Sequence, residues 1–577
     1  MKRPLLISTV VLAACAAVFA LGALEGVLRP LPELPSLLPE GALLSIEARD
    51  FSALLHDWNS SSEERAWVTS DNHAAFSNSR LFARLAQAQN EFSAAAGLPA
   101  DSRLLENVAG EQSCLALYDI GNLEFVYITR LDQQHIENSP LWQTRGKFEQ
   151  RMEAGSAFFV HPDSQSSRTA AFAVKDGWLI LGTREDLVAG VLDRLNGTAS
   201  HNLASEGWFA ETAQQAASER GDLRMMLNLD KIVRTPYFRS YWIQQNITEM
   251  KQYTSAVSDL YRNTRSYREE RVLLRRAGTS TASQADVSTL AAMVPENAAF
   301  YAAQASPSPE SVLVDLRDNL LEARSQREVA ALTTAPSAAL AENLGSADQL
   351  DLRIDQAPLV AKQADAYAPL RALLAAQPLE ASLEVFTSSN SLQPVFVSLQ
   401  TAMALSSPQN WDESVVRQAL TSALPRNLTA GNLGVNWKKR SSASGDYFAL
   451  DGVVSLYLAV SGKRLLLSND SPLLVSMLQR RQKAVPADEK YNVTYAALFQ
   501  HTQEQGHFRR LMAQLDLAGN RGAADQQTSA GASQAPAFFS GNAASFSRVF
   551  SNLKSERIEE RDQGTKVAQT VTYQWIR

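Results

Sequence analysis

The sequence predicts an α+β protein, with two pseudo-symmetric copies of a mainly antiparallel sheet covered by helices after one N-terminal transmembrane helix. Three observations predict it. A strand, turn, strand, helix unit occurs twice without a gap. Ala173-Val174-Lys175-Asp176-Gly177-Trp178-Leu179-Ile180-Leu181 leads into Thr183-Arg184-Glu185-Asp186-Leu187-Val188, and Ala459-Val460-Ser461-Gly462-Lys463-Arg464-Leu465-Leu466-Leu467 leads into Asn469-Asp470-Ser471-Pro472-Leu473-Leu474. Short apolar runs bounded by turn residues surround both units, which is the strand pattern. An uncharged run, Pro4 to Leu24, opens the chain.

A chain of 577 residues exceeds one ordinary core, so two or more domains are expected. Apolar content of 45% and charged content of 20% belong to a globular protein. A net charge of −7 lacks the dominant basic field of a nucleic-acid binder, and no nucleic-acid partner is expected.

Lys2 and Arg3 precede the uncharged run, and Glu25 ends it. Its length matches the roughly 20 residues that cross a bilayer. Positive residues on the N-terminal side keep that end in the cytoplasm and send the body outward. A cleaved signal peptide has a shorter core of about 7–15 residues, so the reading preferred is an uncleaved signal anchor in residues 1–28. Leu12-Ala13-Ala14-Cys15 resembles a bacterial lipobox, which makes lipidation at Cys15 the alternative. Pro30, Pro32 and Pro35 make residues 29–37 a semi-rigid stalk. The other cysteine, Cys114, lies in an apolar strand-like run and reads as a buried, inert thiol.

The first copy is expected over 38–285. Leu38 to Glu47 opens it as a strand, and Arg80 to Ala96 carries apolar residues at helical spacing. Cys114–Tyr118, Phe125–Thr129, Phe158–Val160, Ala170–Val174 and Trp178–Leu181 read as strands. Asp176-Gly177 is the strongest hairpin signal, because glycine tolerates the positive φ of a tight primed turn. Thr183 is expected to cap the following helix, as is Ser471 with Pro472 in the second copy. Asp222–Leu229 reads as a strand and Phe238 to Arg262 as a long helix.

The second copy is expected over 286–577, with Ala518–Gln534 as a Gly/Ala/Ser/Gln-rich loop. Val294-Pro295-Glu296-Asn297-Ala298-Ala299 echoes Leu38-Pro39-Glu40-Gly41-Ala42-Leu43. Further echoes pair Leu383 with Leu115, Val395–Val397 with Phe125–Tyr127, Tyr491 with Leu223, Phe508 with Phe238, and Glu559-Glu560-Arg561 with Glu269-Glu270-Arg271.

Searches for chemistry return little. The phosphate loop, the dinucleotide fingerprint, H-E-x-x-H and G-x-S-x-G do not occur, so no cofactor is expected. The seven histidines are scattered and fit no common zinc spacing, so no metal is expected. Ser551-Asn552-Leu553-Lys554 matches S-x-x-K but lacks S-D-N and K-T-G, and reads as a solvated face. The carboxylate pairs Glu269-Glu270 and Glu559-Glu560 point to opposite faces of a strand and suit ion pairs better than acid/base work. No catalytic residue is assigned.

The most unusual composition is Lys231-Ile232-Val233-Arg234-Thr235-Pro236-Tyr237-Phe238-Arg239-Ser240-Tyr241-Trp242. Arg, Tyr and Trp together favour binding hot spots, so Arg234, Tyr237, Arg239, Tyr241 and Trp242 are the candidate binding residues. Arg262, Arg265, Arg268, Arg271, Arg275 and Arg276 add positive charge that would suit anionic headgroups or glycans. The competing reading is an aromatic-rich helix start with its arginines paired to Asp259, Glu269 and neighbouring carboxylates.

Leu38–Leu43, Tyr118-Asp119-Ile120-Gly121, Thr183–Leu187 and Arg234–Arg239 together resemble a family of bacterial envelope proteins with a domain of unknown function. The resemblance implies a single-pass protein of the bacterial inner membrane with its body in the periplasm or outside the cell. The expected function is non-enzymatic binding of a partner protein, lipid or glycan. A carrier or sensor of an apolar ligand, or a hydrolase with an unrecognised site, are the alternatives.

Overall fold

The structure is a computed structural model. It describes residues 33–69, 73, 77, 80–98, 108–163, 168–235, 250–278, 287–321, 366–388, 399–424, 436–450, 455–480, 493–502 and 553–576. Two compact units are present, one from residues 1–53, 85–214 and 225–238, the other from 54–84, 215–224 and 239–577. The protein is α+β with open antiparallel sheets and helices, as expected.

The first unit holds β1 (Leu44–Ala48), β2 (Ser113–Asp119), β3 (Glu124–Arg130), β4 (Glu149–Glu153), β5 (Ser156–Asp163), β6 (Arg168–Lys175), β7 (Trp178–Gly182) and the end of β8 (Leu223–Leu227). Their order is β8–β1–β2–β3–β7–β6–β5–β4. The β6–β7 hairpin turns on Asp176 (φ 50) and Gly177 (φ 78), the paired positive values of a type I′ turn. All five residues of β7 are buried, because both faces of that strand are covered. On one face, the C-terminal half of α1 (Arg80–Ala96) brings Ala95 and Ala96 against Tyr127, Phe172, Leu179 and Leu181. On the other, α2 (Glu185–Leu195) buries Leu187, Val188, Val191 and Leu192 at helical spacing.

The second unit holds β9 (Tyr253–Arg262), β10 (Ser266–Arg275), β11 (Phe300–Ala305), β12 (Ala381–Ser388), β13 (Leu399–Ser406), β14 (Lys438–Ser442), β15 (Gly445–Leu450), β16 (Leu456–Ser461), β17 (Arg464–Ser468), β18 (Tyr495–Phe499), β19 (Leu553–Asp562) and β20 (Lys566–Trp575). They run β9–β10–β20–β19–β18–β11–β12–β13–β17–β16–β15–β14, each pairing antiparallel. Side chains alternate between two cores. Met403, Leu405, Leu465 and Leu467 meet α3 (Pro309–Leu316), α4 (Ala368–Ala376) and α5 (Glu413–Ala423). Ala402, Ala404 and Leu466 lie in a second cluster with Leu473, Leu474, Met477 and Leu478 of α6 (Ser471–Arg480).

Several expectations need correction. Tyr253–Arg262 is a strand rather than the end of a long helix. Its Thr, Ser, Val and Tyr residues suit a pleated surface and form helices poorly. Thr183 does not cap α2. Its hydroxyl accepts from Phe125 N at 2.9 Å, fastening β7 to β3, and Arg184 holds the cap position without a side-chain bond to the helix backbone. Before α6 the cap is Asp470, which accepts from Leu473 N at 2.8 Å, while the Ser471 hydroxyl pairs with Tyr447. Glu269 sits on β10 and Glu559 on β19, opposite arms of their two hairpins, so that echo is misaligned. Residues Leu34–Leu37 of the expected stalk form a 3-10 turn with Leu34, Pro35 and Leu37 buried. No helix among the described residues is long and apolar enough to cross a membrane. Residues 4–24, the 518–534 loop and the Val395, Tyr491, Phe238 and Phe508 echoes lie outside them.

Candidate binding surface

Of the predicted binding residues the structure describes Arg234. The chain leaves β8 into a one-turn helix, Leu229–Ile232, started by Asn228, whose side chain accepts from Lys231 N at 3.1 Å. Leu229 and Ile232 are buried and point the turn's polar side outward. Arg234 follows with its side chain 76% exposed, 3.9 Å from Asp230. An exposed guanidinium with one distant carboxylate retains its capacity to clamp an anion. Tyr237, Arg239, Tyr241 and Trp242, and the lipidation candidate Cys15, lie outside the described residues.

Four of the six downstream arginines are engaged by carboxylates. Arg262 meets Asp57 at 2.9 Å and Asp222 at 4.0 Å. Arg268 lies 3.4 Å from Glu270 and stacks over the Tyr261 ring at 4.5 Å. Arg271 grips both oxygens of Glu269 at 2.6 Å, and Arg275 pairs with Asp562. Burial alone would raise the Glu269 carboxyl, but hydrogen bonds from Arg271 and Ser258 outweigh it and hold the group below its usual range. Arg268 and Arg271 pair within β10, and Arg557 and Arg561 both pair with Glu559 within β19, whereas Arg275 reaches from β10 to Asp562 of β19.

Among the ion pairs of the described residues, Arg224–Asp259 is deeply buried and has no motif in the sequence. Arg224 donates through Nε and Nη2 to the two oxygens of Asp259 at 2.8 and 2.9 Å, with Asp259 1% exposed. Gly221 N adds a third bond to Asp259 at 3.1 Å, and Arg224 also donates to Ala217 O at 3.0 Å. Each donor in this fork is matched, which fits a structural clip. The only sequence signal was an arginine inside the apolar run Leu223-Arg224-Met225-Met226-Leu227.

Other polar groups also build the scaffold. Tyr127 donates to Val108 O at 2.8 Å and its hydroxyl lies 3.1 Å from Ser113 Oγ, and burial pushes the hydroxyl up to about 12. Cys114 is fully buried on β2. Gly182 is explained by packing, since a Cβ there would stand 2.9 Å from Val188 Cγ2. His501 lies 3.9 Å from Glu556, and its ring stacks on Phe499. No cluster of three or more His, Cys, Asp or Glu suited to a metal occurs among the described residues.

No family model matches the chain. No curated protein matches it either. Among solved structures it is similar to TP0453 in crystal forms III, I and IV, each at 8% identity. The TM-scores are 0.24, 0.25 and 0.24. The matches cover 44%, 44% and 42% of this chain and 83%, 81% and 80% of the TP0453 chain.

Proposed function

We propose that this chain is a membrane-tethered, non-enzymatic protein of the cell envelope that binds a partner protein, lipid or glycan. Residues 4–24 anchor it in the inner membrane and the body stands outside the cytoplasm. The observation that carries the reading is the uncharged run behind Lys2 and Arg3, which ends shortly before the first buried turn at Leu34. The tether leaves at most about 3.5 Å per residue between Leu24 and Leu34, so the body stays near the bilayer.

The body is a tandem duplication in this proposal. Support comes from strand order, because β8–β1–β2–β3–β7–β6–β5–β4 and β18–β11–β12–β13–β17–β16–β15–β14 have the same sequence of connections. Isolated hydrogen bonds recur in step. Asn228 N donates to Leu43 O and Gln500 N to Ala299 O, each at 2.8 Å. Thr183 N donates to Phe125 O and Asn469 N to Thr401 O, each at 3.1 Å.

Binding is assigned to the exposed Arg234 and the Arg/aromatic sequence after it. The test is co-purification from native membranes, comparing the full chain with Arg234→Ala/Arg239→Ala. The double variant is expected to lose a specific lipid, glycan or protein; retention of all of them rejects this surface.

A further inference from the structure

The strand pair joining the two proposed copies has a symmetry of its own. Hairpins β9–β10 and β19–β20 each have two ten-residue strands, and Arg262 and Asp562 end the first strands at the same offset as Ser266 and Lys566 begin the second (562 − 262 = 300). The turns repeat as well, with Asn263 N donating to Ser266 O and Gln563 N to Lys566 O, each at 2.9 Å. The entry bonds also correspond. Arg262 N donates to the Asp222 side chain at 2.7 Å and Asp562 N to the Thr494 hydroxyl at 3.0 Å.

Between the hairpins, β10 and β20 pair antiparallel from Ser266↔Gln574 to Leu274↔Lys566. Glu270 and Thr570 are equivalent at that offset, and they face each other. The flanking bonds are exchanged by the same operation. Arg275 N donates to Thr565 O at 2.8 Å and Trp575 N to Arg265 O at 3.0 Å. A local two-fold axis therefore passes between Glu270 and Thr570, as in an isologous contact between identical subunits. Side-chain hydrogen bonds cross from residues before 279 to residues after 286 at Arg271–Gln569, Arg275–Asp562 and Gln215–Lys566.

We infer that the β10–β20 seam is an isologous pairing surface whose second strand can come from another copy of this chain. In the exchanged dimer, β10 of each chain pairs with β20 of the other, and the exchange preserves every seam bond. The closed chain competes at an effective concentration on the order of mM, so exchange is set when chains fold side by side. Tethering many copies to one membrane raises their local concentration. The inference rests on the duplication proposed above.

The test uses full-length chains. Opposed residues of an antiparallel pair have Cα atoms about 4.5–5.5 Å apart, within the roughly 4.4–6.8 Å that a disulfide spans. Glu270→Cys/Thr570→Cys in one chain is expected to oxidise within the monomer. Glu270→Cys and Thr570→Cys on separately tagged, co-expressed chains are expected to give a reducible dimer carrying both tags. Each variant expressed alone should lack it and reports any pairing through Cys15. A linked double variant without a mixed dimer overturns the exchange and leaves the seam intact. Failure of the double variant to link contradicts the register and the duplication with it. Arg268→Cys/Thr572→Cys, also directly opposed, provides a second pair should one substitution disturb folding.

Discussion

At the residue scale, charged side chains in this protein are mostly paired with one another. The Arg224–Asp259 pair is the clearest instance, with both side chains deeply buried. Removing one partner leaves the other buried and unpaired, which costs about 3–5 kcal/mol. Asp259→Ala should lower urea stability by about that amount, while Arg224→Met/Asp259→Leu should recover much of it, because no charge is then stranded. Glu269 gives a pH dependence of definite sign. Its folded carboxyl is held below the usual carboxylate range, so its stabilisation is complete above the unfolded pKa. That stabilisation is lost as pH falls through the depressed folded value. Urea titrations from pH 7 to pH 2 should show a shallower acid loss in Glu269→Gln than in the natural protein. Sequence pairing of Arg268 and Arg271 with Glu270 and Glu269 was legible, because residues two apart share a strand face. The Arg224–Asp259 partnership was not, since it joins strands distant in sequence.

At the element scale, the β6–β7 hairpin and its helix were readable because three local rules agree there. The turn chemistry of Asp176-Gly177, the alternation of the strands and the apolar face of α2 all point one way. The turn also makes a quantitative prediction. An alanine Cβ at Gly177 meets nothing closer than Leu131 O at 3.7 Å, so the cost of Gly177→Ala is backbone strain alone. That strain is about 1–2 kcal/mol. The control, Gly146→Ala, has open space and no positive φ, and should leave the urea midpoint nearly unchanged. β9 was misread because Ala256, Val257 and Leu260 fit a helical spacing as well as a strand. Pairing with β10 decides the matter, and no local rule contains it. The helix caps were misplaced by one residue for a similar reason. Thr183 and Ser471 have better partners across the fold in Phe125 and Tyr447.

At the scale of the whole molecule, the proposed duplication shows in the sequence as a shared order of weak echoes, and the paired hydrogen bonds favour other offsets for some of them. By the paired hydrogen bonds, Leu43 corresponds to Ala299, as read from sequence. Leu117 then corresponds to Phe386, since each carbonyl accepts from that equivalent residue. Within the proposed duplication, Leu115 would then answer Glu384 rather than Leu383. A slip of one residue moves a side chain to the other sheet face, and apolar pattern alone cannot fix register where both faces are covered. The candidate site was legible only as composition, and of its residues the structure describes Arg234.

The central claim is that the body is tethered outside the cytoplasm by an uncleaved anchor. The most direct measurement is mass spectrometry of the N-terminus of the native protein, taken from carbonate-washed membranes of cells whose surface-exposed protein has been protease-treated. The account predicts a chain beginning at Met1 that stays in the membrane after the wash and loses its body to protease once the outer barrier is opened. A chain beginning at lipidated Cys15, or one released by carbonate with its body protected, would contradict it.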